Sequence, residues 1–301
     1  MSNRNNRIKE GPARTAFKLV NNFFFSIVLI LCLYPIWYVL IQSLSSGSKS
    51  VNALVLPINF TLENYAQMLS RQEIVHAFLV SVARTVIGTI LTLLCCMFLG
   101  YLFSKDEMPC RKLLYRTLII TMYVSGGLIP TFLVYKSYGL MNNFWVYILP
   151  NLVSAYYVIL IKTFIEQMPP SIEESAMIDG AGTAVIFLKI ILPLSLPIAA
   201  TIAIYASVNQ WNSWFDNNIY TVSNKNLTTL QYLMYTYLNR SEQLIEEMRK
   251  GDMNELNAAA MITPRGMRMT ITMITITPVL CIYPFLQRFL VKGIMIGAVK
   301  G

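Results

Sequence analysis

The sequence predicts an all-α membrane protein with six transmembrane helices, and its composition and its apolar windows carry that prediction. Hydrophobic residues make up 55% of the 301-residue chain and charged residues only 13%, whereas charged residues form about a quarter of an ordinary soluble domain. A helix needs about 20 apolar residues to cross the ~30 Å hydrocarbon layer. Six windows of this kind lie at 22–42, 77–103, 113–135, 144–165, 190–211 and 268–292.

The first window follows a basic N-terminal stretch, an arrangement that secretory signal peptides share. The window at 22–42 is too long for the apolar region of a signal peptide and lacks a small-residue cleavage site. It therefore predicts a retained first span. The formal net charge of +9 does not indicate a nucleic-acid partner, because the basic residues flank apolar runs instead of lining one polar face.

Lysine and arginine predict the orientation of the chain in the lipid bilayer. Six spans place both termini on one side, and basic residues concentrate in cytoplasmic segments. They cluster before the first span and between the second and third, at Arg4, Arg7, Lys9, Arg14, Lys18, Lys105, Arg111, Lys112 and Arg116. We therefore predict a cytoplasmic N-terminal segment 1–21, a transmembrane domain 22–292, an extracellular loop 216–266 and a cytoplasmic tail 293–301.

Glycine and proline interrupt the third and fourth spans. The string SGGLIP, which begins with Ser125 and Gly126, lies inside the third window, and Pro150 lies inside the fourth. A kink or unwound turn is tolerated in a membrane only where protein or water satisfies the freed backbone groups. These helices therefore line a substrate pathway or pack closely through small residues, and the sequence leaves both explanations open.

The loop 167–193 between the fourth and fifth spans predicts a short isolated helix on the cytoplasmic side. Pro169 and Pro170 end the preceding helix. Ser171 and Glu174 have the S-x-x-E spacing of a capping box, in which each side chain satisfies a free amide at the helix start. The glycines at 180 and 182 supply the backbone freedom that ends the helix.

A helix of two turns is not stable alone in water, so we expect this one to dock on a partner. Negative charge comes from Glu173, Glu174 and Asp179, and apolar contact from Ile172, Ala176 and Met177. A groove with basic and apolar walls would complement both. The capping box by itself explains Ser171 and Glu174 without any partner, and that alternative stays open on the residues alone.

The segment resembles the EAA signature of ABC importer permeases. Glu174 and Ala176 are followed by Gly180, then after nine residues by Ile190, and Leu192 and Pro193 come next. The string ESAMIDGAG resembles the EAA-x-x-DGA variant of the maltose-type, carbohydrate-importing branch. Ser175 departs from the usual alanine but is small enough for the same close contact.

The resemblance covers most of the chain. It includes the six-span layout, the region SGGLIPTFLVYKSYGLMNNFWVYILP, the string QWNSWFD after the fifth span and the closing YPFLQRFLVKGIMIGAVKG. The closing segment resembles permeases for complex oligosaccharides. The resemblance implies a type I ABC importer permease fold in a bacterial cell membrane.

In that family the short segment is the coupling helix, which is seated in a cleft of a nucleotide-binding subunit. The resemblance implies that Glu174 meets a basic residue of the ATPase, that Ala176 allows close approach and that Gly180 makes the turn. The residues that we assign to ATPase coupling are Ser171, Glu174, Ala176, Asp179, Gly180, Ile190, Leu192 and Pro193. The implied partners are a second, non-identical permease, two ATPase subunits that bind ATP and Mg, and an extracellular sugar-binding protein.

The chain itself contains no motif for nucleotide hydrolysis or for catalysis. The string GSKS lacks the upstream glycine of a G-x-x-x-x-G-K-[ST] loop, and neither H-E-x-x-H nor G-x-S-x-G occurs. The sequence therefore predicts a transport subunit with no catalytic residue, no metal site and no bound cofactor.

A sugar site needs aromatic faces and polar groups, and the string from Asn209 to Asn218 offers both. The candidates are Asn209, Trp211, Asn212 and Trp214. The membrane-interface belt, which enriches tryptophan in all membrane proteins, is the favoured explanation for the tryptophans. Arg84 inside the second span must face the bundle interior or reach outward, because a charge in lipid is costly.

Two rival functions remain open. The same type of permease could carry an amino acid or a peptide, and sugar-specific protection of its binding protein against heat would separate these cargoes. An ion-coupled secondary transporter predicts inverted repeats and acidic residues buried within the spans. The sequence shows neither.

Overall fold

The described part of the chain is helical. The computed structural model describes residues 12–46, 53–249 and 264–298, and within them it contains one isolated bridge, between Ser45 and Phe60, and no strand. The helices in chain order are α1 (Pro12–Ser43), α2 (Glu63–Leu69), α3 (Gln72–Ser104), α4 (Arg111–Ile120), α5 (Leu128–Ser137), α6 (Ala155–Glu166), α7 (Ser171–Ile178), α8 (Thr183–Ile186), α9 (Leu192–Leu194), α10 (Leu196–Asn212), α11 (Phe215–Tyr220), α12 (Leu230–Arg249) and α13 (Pro264–Ala298).

Some of the predictions fall outside the described residues. These are the charges at positions 4, 7 and 9 of the predicted N-terminal segment, the part of the loop 216–266 between 250 and 263, and the last three residues of the tail.

Among the described residues, fewer helices qualify as candidate spans than the six predicted. On length and composition, three stretches could cross a membrane, namely Ala16–Ser43, Gln72–Ser104 and Arg265–Pro284. Two bent pairs raise the number to as many as five: Phe144–Asn151 with Ala155–Glu166, bent by 46°, and Thr183–Leu194 with Leu196–Asn212, bent by 77°. The prediction of six spans is not confirmed.

The predicted third span is not among these candidates, because its helix is broken in the middle. Helices α4 and α5 have 10 residues each, or about 15 Å at the usual rise per residue, which is half of the hydrocarbon thickness. Residues 121–127 between them are not helical, and Gly127 adopts a φ of +81°. The predicted interruption at SGGLIP is therefore confirmed, and it divides the apolar window into two separate helices.

Proline also accounts for the two bends. Pro150 lies in a 3₁₀ turn, Leu149–Asn151, where its missing N–H leaves no α-helical bond to break. Pro193 and Pro197 flank the 77° bend, and Ser195 between them has a φ of −85° and a ψ of 4°. Just before it, residues Phe187–Ile191 form a π-helical turn, a local widening that often accompanies functional sites.

The chain divides into two compact units, one made of residues 1–68 and 241–273 and the other of 69–240 and 274–301. In the first unit, the end of α1 is held by the side-chain amide of Asn64, which donates to the carbonyls of Ser43 at 2.9 Å and Ser45 at 3.2 Å. Most of the large apolar side chains of α1 are exposed. An apolar surface of this size indicates that its solvent is lipid.

In the second unit, α3 packs between α6 and α10. The core near the C-terminal end of α3 contains Cys96, Tyr101 and Phe103, together with Ile161 and Ile165 of α6. Close approach requires a glycine at one point, because a Cβ on Gly100 would lie 2.5 Å from Cγ2 of Ile161.

Arg84 faces the interior of this unit, the first of the two positions that the sequence allows, and it is 1% exposed. Its guanidinium forms a bidentate pair with Asp216 at the start of α11 and donates to Gln210 Oε1 at 2.9 Å and to the Ser213 carbonyl at 3.2 Å. It also lies 4.5 Å from the ring centroid of Tyr147. A charge removed from water requires partners of this kind.

A polar network extends from this ion pair. The Tyr147 hydroxyl donates to the Leu227 carbonyl at 2.6 Å and shares a 2.6 Å hydrogen bond with Thr221. Asn217 donates to the Thr221 hydroxyl at 2.7 Å and accepts from the Thr229 amide at 2.7 Å. The network therefore fixes the chain that follows α10 against α3.

We predict that Arg84→Met costs about 3–5 kcal/mol of stability, because it leaves Asp216 largely buried without its cation. Thermal unfolding of the purified protein in detergent measures the loss. Arg116→Met is the matched control, since Arg116 is exposed. In Arg84→Met combined with Asp216→Asn, the loss should be smaller than the sum of the single losses, and strict additivity would contradict the pairing.

Candidate functional site

Helix α7 is the short helix that the sequence predicts, but its start differs from the prediction. Pro170, with a φ of −58° and a ψ of −30°, occupies the N-cap position, and Ser171 is the first helical residue. The Pro170 carbonyl accepts from the amides of Glu173 at 3.0 Å and Glu174 at 3.1 Å. The capping box is therefore wrong, because the amide that Ser171 Oγ was expected to satisfy is already bonded.

The helix ends in a Schellman turn. The Ala181 amide donates to the Ala176 carbonyl at 2.9 Å and the Gly180 amide to the Met177 carbonyl at 3.0 Å, with Gly180 at a φ of +82°. The predicted role of Gly180 is confirmed in this respect. Gly182 has an ordinary φ of −76°, so the prediction that both glycines end the helix holds for one of them.

One face of α7 is open to a partner. Its exposed residues are Ser171, Glu174, Ser175, Met177 and Ile178. Four of them, Ser171, Glu174, Ser175 and Ile178, have the i, i+3, i+4, i+7 spacing of one helical stripe, and Met177 lies at its edge. Ile178 is 86% exposed, an unusual exposure for a large apolar side chain. Sequence reasoning missed Ile178, although its position four residues after Glu174 marks it as part of the same face.

The open face carries negative charge as well. Glu174 and Asp179, the C-cap residue of α7, are exposed, and neither has an ion pair within the described part of the chain. Both carboxylates are therefore accessible to a basic partner.

The opposite face of α7 packs on the chain itself. Ala176 is 8% exposed and belongs to the core formed with Tyr101, Ile186 and Ile191. The Glu173 carboxylate forms an ion pair with Lys105. Two expectations thus need correction: Ala176 allows close approach to the core of its own chain, and Glu173 presents its charge to Lys105 and not to solvent.

The end of the EAA-like segment lies in the region that leads into the 77° bend. Ile190 and Leu192 are half-buried and pack against the same core, whereas Pro193 is exposed. The Leu192 amide donates to the Phe187 carbonyl across the π turn. These three residues therefore connect α7 to α10 and do not belong to the exposed face of α7.

A cavity of about 740 Å³ brings together three of the predicted pathway residues, Asn209, Trp211 and Asn212. Tyr156 and Tyr157 of α6 and Tyr205 of α10 also line it. Asn209 is exposed on α10, which together with Thr183–Leu194 forms one of the bent pairs that could cross a membrane. A polar group there normally faces a cavity or the bundle interior.

A second, more polar cavity of about 250 Å³ adjoins the first. Tyr157 and Asn209 line both, and Thr92, Asn151 and Gln210 line the second. Aromatic faces in one cavity and amide or hydroxyl groups in the other are the chemistry that binds a polyhydroxylated ring. The sequence signal that was missed is the helical spacing of Tyr205, Asn209 and Asn212, which places them on one face of α10.

The other predicted pathway residues lie elsewhere. Ser125 and Gly126 are exposed in the break between α4 and α5 and do not line either cavity, and the Trp214 ring stacks on Tyr235 at a centroid distance of 4.1 Å. Trp211 is buried, and its indole N–H donates to the Thr275 carbonyl at 3.2 Å. This burial does not fit the interface belt that the sequence favours for Trp211.

Over the residues that the structure describes, there is no group of three or more His, Cys, Asp or Glu side chains that could hold a metal ion.

These features define a polytopic helical membrane protein with a cavity lined by α3, α6 and α10 and an exposed short helix in a loop. No family model matches the chain. Two proteins of Bacillus subtilis (strain 168) are similar over nearly all of it. The polygalacturonan/rhamnogalacturonan transport system permease protein YtcP is 34% identical over 94% of this chain and 97% of its own length. Protein LplC is 32% identical over 96% of each chain.

A solved structure gives the same result for the fold. One chain of a bacterial ABC transporter involved in the import of the acidic polysaccharide alginate matches with a TM-score of 0.80 and 25% identity, over 93% of this chain and 98% of that one. The chain therefore belongs to the permease subunits of ABC importers, in the maltose-type, carbohydrate-importing branch. The resemblance that the EAA-like segment carries is confirmed.

We predict that Gly180→Val weakens association with the other subunits of the ABC transporter about tenfold while the protein still inserts in the membrane. Valine at a φ of +82° costs about 1–2 kcal/mol or more, and relieving that strain shifts the end of α7. Gly182→Val is the matched control, because no atom lies within 4 Å of a Cβ at either glycine and only Gly180 has a positive φ. Copurification from solubilised membranes measures association, and equal yields from the two variants would contradict the role of Gly180.

Proposed function

We propose that this chain is the permease subunit of an ATP-driven importer and moves an oligosaccharide that an extracellular binding protein delivers, while separate subunits bind and hydrolyse ATP with Mg. The likeness over nearly the whole chain to a polygalacturonan/rhamnogalacturonan transport permease supports it, and that observation carries the proposal. The likeness to a chain of an alginate importer adds support.

In the proposed topology the chain crosses the membrane six times and both termini are cytoplasmic. Helices α4 and α5 together supply the third crossing, with the break at 121–127 satisfied by a neighbouring subunit or by water in the pathway. The clusters of basic residues support this orientation. It places α7 in the cytoplasm and α12 outside, where the loop 216–266 contacts the binding protein.

In this arrangement α7 is the coupling helix. Its core-facing side is fixed by Ala176 and Glu173, so its open face, with Glu174 and Ile178, is the part that can enter a cleft of the ATPase. A basic groove residue would pair with Glu174, and an apolar pocket would cover Ile178. Closure of two ATPase subunits would pull the coupling helices together and rock the spans.

The two cavities are the proposed sugar pathway. They lie beside α3, α6 and α10, and Asn209 and Tyr157 are common to both. A second, non-identical permease would close the open side, in keeping with a heterodimer. An ion-coupled transporter would need a buried carboxylate that is free to bind the ion. Among the described residues, Asp216 lies near the end of α10, but its carboxylate is paired with Arg84, which gives the rival hypothesis no support.

We predict that a photo-activatable maleimide attached at Ile178→Cys crosslinks to the ATPase subunit. Attachment at Ala176→Cys should give at least fivefold less product, because Ala176 is buried in the core of its own chain. Both variants are made in a chain whose other cysteines are replaced by alanine. Absence of an ATPase product from Ile178→Cys in an assembled importer would reject α7 as the coupling helix.

We also predict that Tyr205→Ala lowers uptake of labelled oligosaccharides released from polygalacturonan by about three- to tenfold. The loss corresponds to about 0.5–1.5 kcal/mol for an aromatic contact. Tyr138→Ala is the matched control, because Tyr138 is 77% exposed and does not line either cavity. Equal uptake by the two variants would argue against the cavity as the sugar pathway.

A further inference from the structure

The acidic residues of α7 do not have the same surroundings. Glu174 and Asp179 are exposed, whereas the Glu173 side chain is 14% exposed and paired with the Lys105 ammonium, which is 23% exposed. In the described part of the chain, Lys105 is the only cation paired with α7. Glu173 is one residue ahead of the EAA-like segment, and its role is therefore separate from that of Glu174.

Lys105 lies at the point where α3 ends. It is the C-cap residue of this 33-residue helix, and its ammonium lies 4.6 Å from the ring centroid of Tyr101, which is 2% exposed. The Tyr101 ring packs on Phe187, the first residue of the π turn, at a centroid distance of 5.0 Å. The ion pair therefore joins α7 to the C-terminal end of α3, where the lysine is held against a buried aromatic ring.

The same helix lines both cavities. Thr85 of α3 contacts the larger cavity and Thr92 the smaller one. From Lys105 to Thr85 the helix runs for about 30 Å at the usual rise per residue. Helix α3 is therefore continuous from the cavity walls to Lys105, and the Lys105–Glu173 ion pair connects it to α7.

Other charges at this end of the helices serve different elements. Arg111 pairs with Asp106 and Glu166, and Lys162 pairs with Glu166. These pairs connect the start of α4 with the end of α6. They leave α7 attached through its apolar face and through Glu173.

We propose that the Lys105–Glu173 ion pair is a positioning device that carries movement of the coupling helix to α3 and so to the cavity. This inference rests on the proposed function of α7. The apolar contact at Ala176 is a single methyl group and can slide, whereas an ion pair against an aromatic ring has a defined geometry. Neither residue lines either cavity, and both act through α3.

The test uses the whole importer in lipid nanodiscs and needs no knowledge of the sugar. In a permease whose five cysteines are replaced by alanine, Asn209→Cys reports the state of the cavity through its labelling rate with a water-soluble maleimide. The response is the change in this rate when ATP and vanadate trap the closed ATPase. ATP hydrolysis and subunit stoichiometry are measured on the same samples.

We expect Lys105→Met and Glu173→Gln each to keep ATP hydrolysis and to reduce the labelling response about 5- to 10-fold, within the usual range of coupling energies. The reversal that combines Lys105→Glu with Glu173→Lys should recover at least half of the response. Full recovery is not expected, because a lysine near the start of α7 opposes the helix dipole. Lys112→Met and Glu107→Gln are the matched controls, since both side chains are exposed, and each should leave the response unchanged.

Three outcomes would overturn the inference. The single variants could respond like the controls, the reversal could recover nothing, or ATP hydrolysis and labelling response could fall in equal proportion, as in a purely structural defect. A failure of the proposed function looks different. In that case the importer with Lys105 and Glu173 unchanged would show no labelling response to ATP, or no ATPase would assemble with the permease.

Discussion

The buried guanidinium of Arg84 is the constraint on which the rest of the second unit depends. A cation inside an apolar helix is stable only if protein partners replace the water that it loses. Those partners are Asp216 and Gln210, which lie in α11 and α10. Gly88 permits the approach, because a Cβ there would lie 2.8 Å from Nε2 of Gln210. Helices α3 and α10 are therefore held together at one level by chemistry that tolerates little displacement.

This constraint gives α3 a particular mechanical role in the proposed mechanism. A helix fixed near Arg84 by a bidentate pair and packed closely at Gly100 can transmit a push along its axis better than it can bend. Its other end carries Lys105, which holds the coupling helix through Glu173. Helix α10 offers no comparable path, because a bend of 77° separates it from Thr183–Leu194.

The sequence predicts local features of this chain well, because they depend on residues close together. Gly180 ends α7 in the predicted turn and Pro150 unwinds the fourth apolar window. The capping box at Ser171 and Glu174 is a local prediction that fails, because Pro170 takes the N-cap position. The pairing of α7 with its own chain depends instead on contacts between distant residues. Glu173 and Lys105 are 68 positions apart, and no spacing rule announces their pairing. Six crossings are not confirmed, because the third window has the hydrophobicity of a span without its helical continuity.

The contact surface of α7 shows why a motif can indicate a function and still assign some of its residues to the wrong side. A helix of 8 residues has too few internal bonds to persist alone, so one face must be fixed to its own protein before the other can bind. The small residue at 176 serves the first purpose, because a larger one would lift α7 off the core with Ile186 and Ile191. The second purpose requires side chains that solvent can reach, and these are Glu174 and Ile178. The exposed isoleucine and the carboxylate beside it therefore carry the docking energy in the proposed importer, and the alanine sets the height at which they are presented.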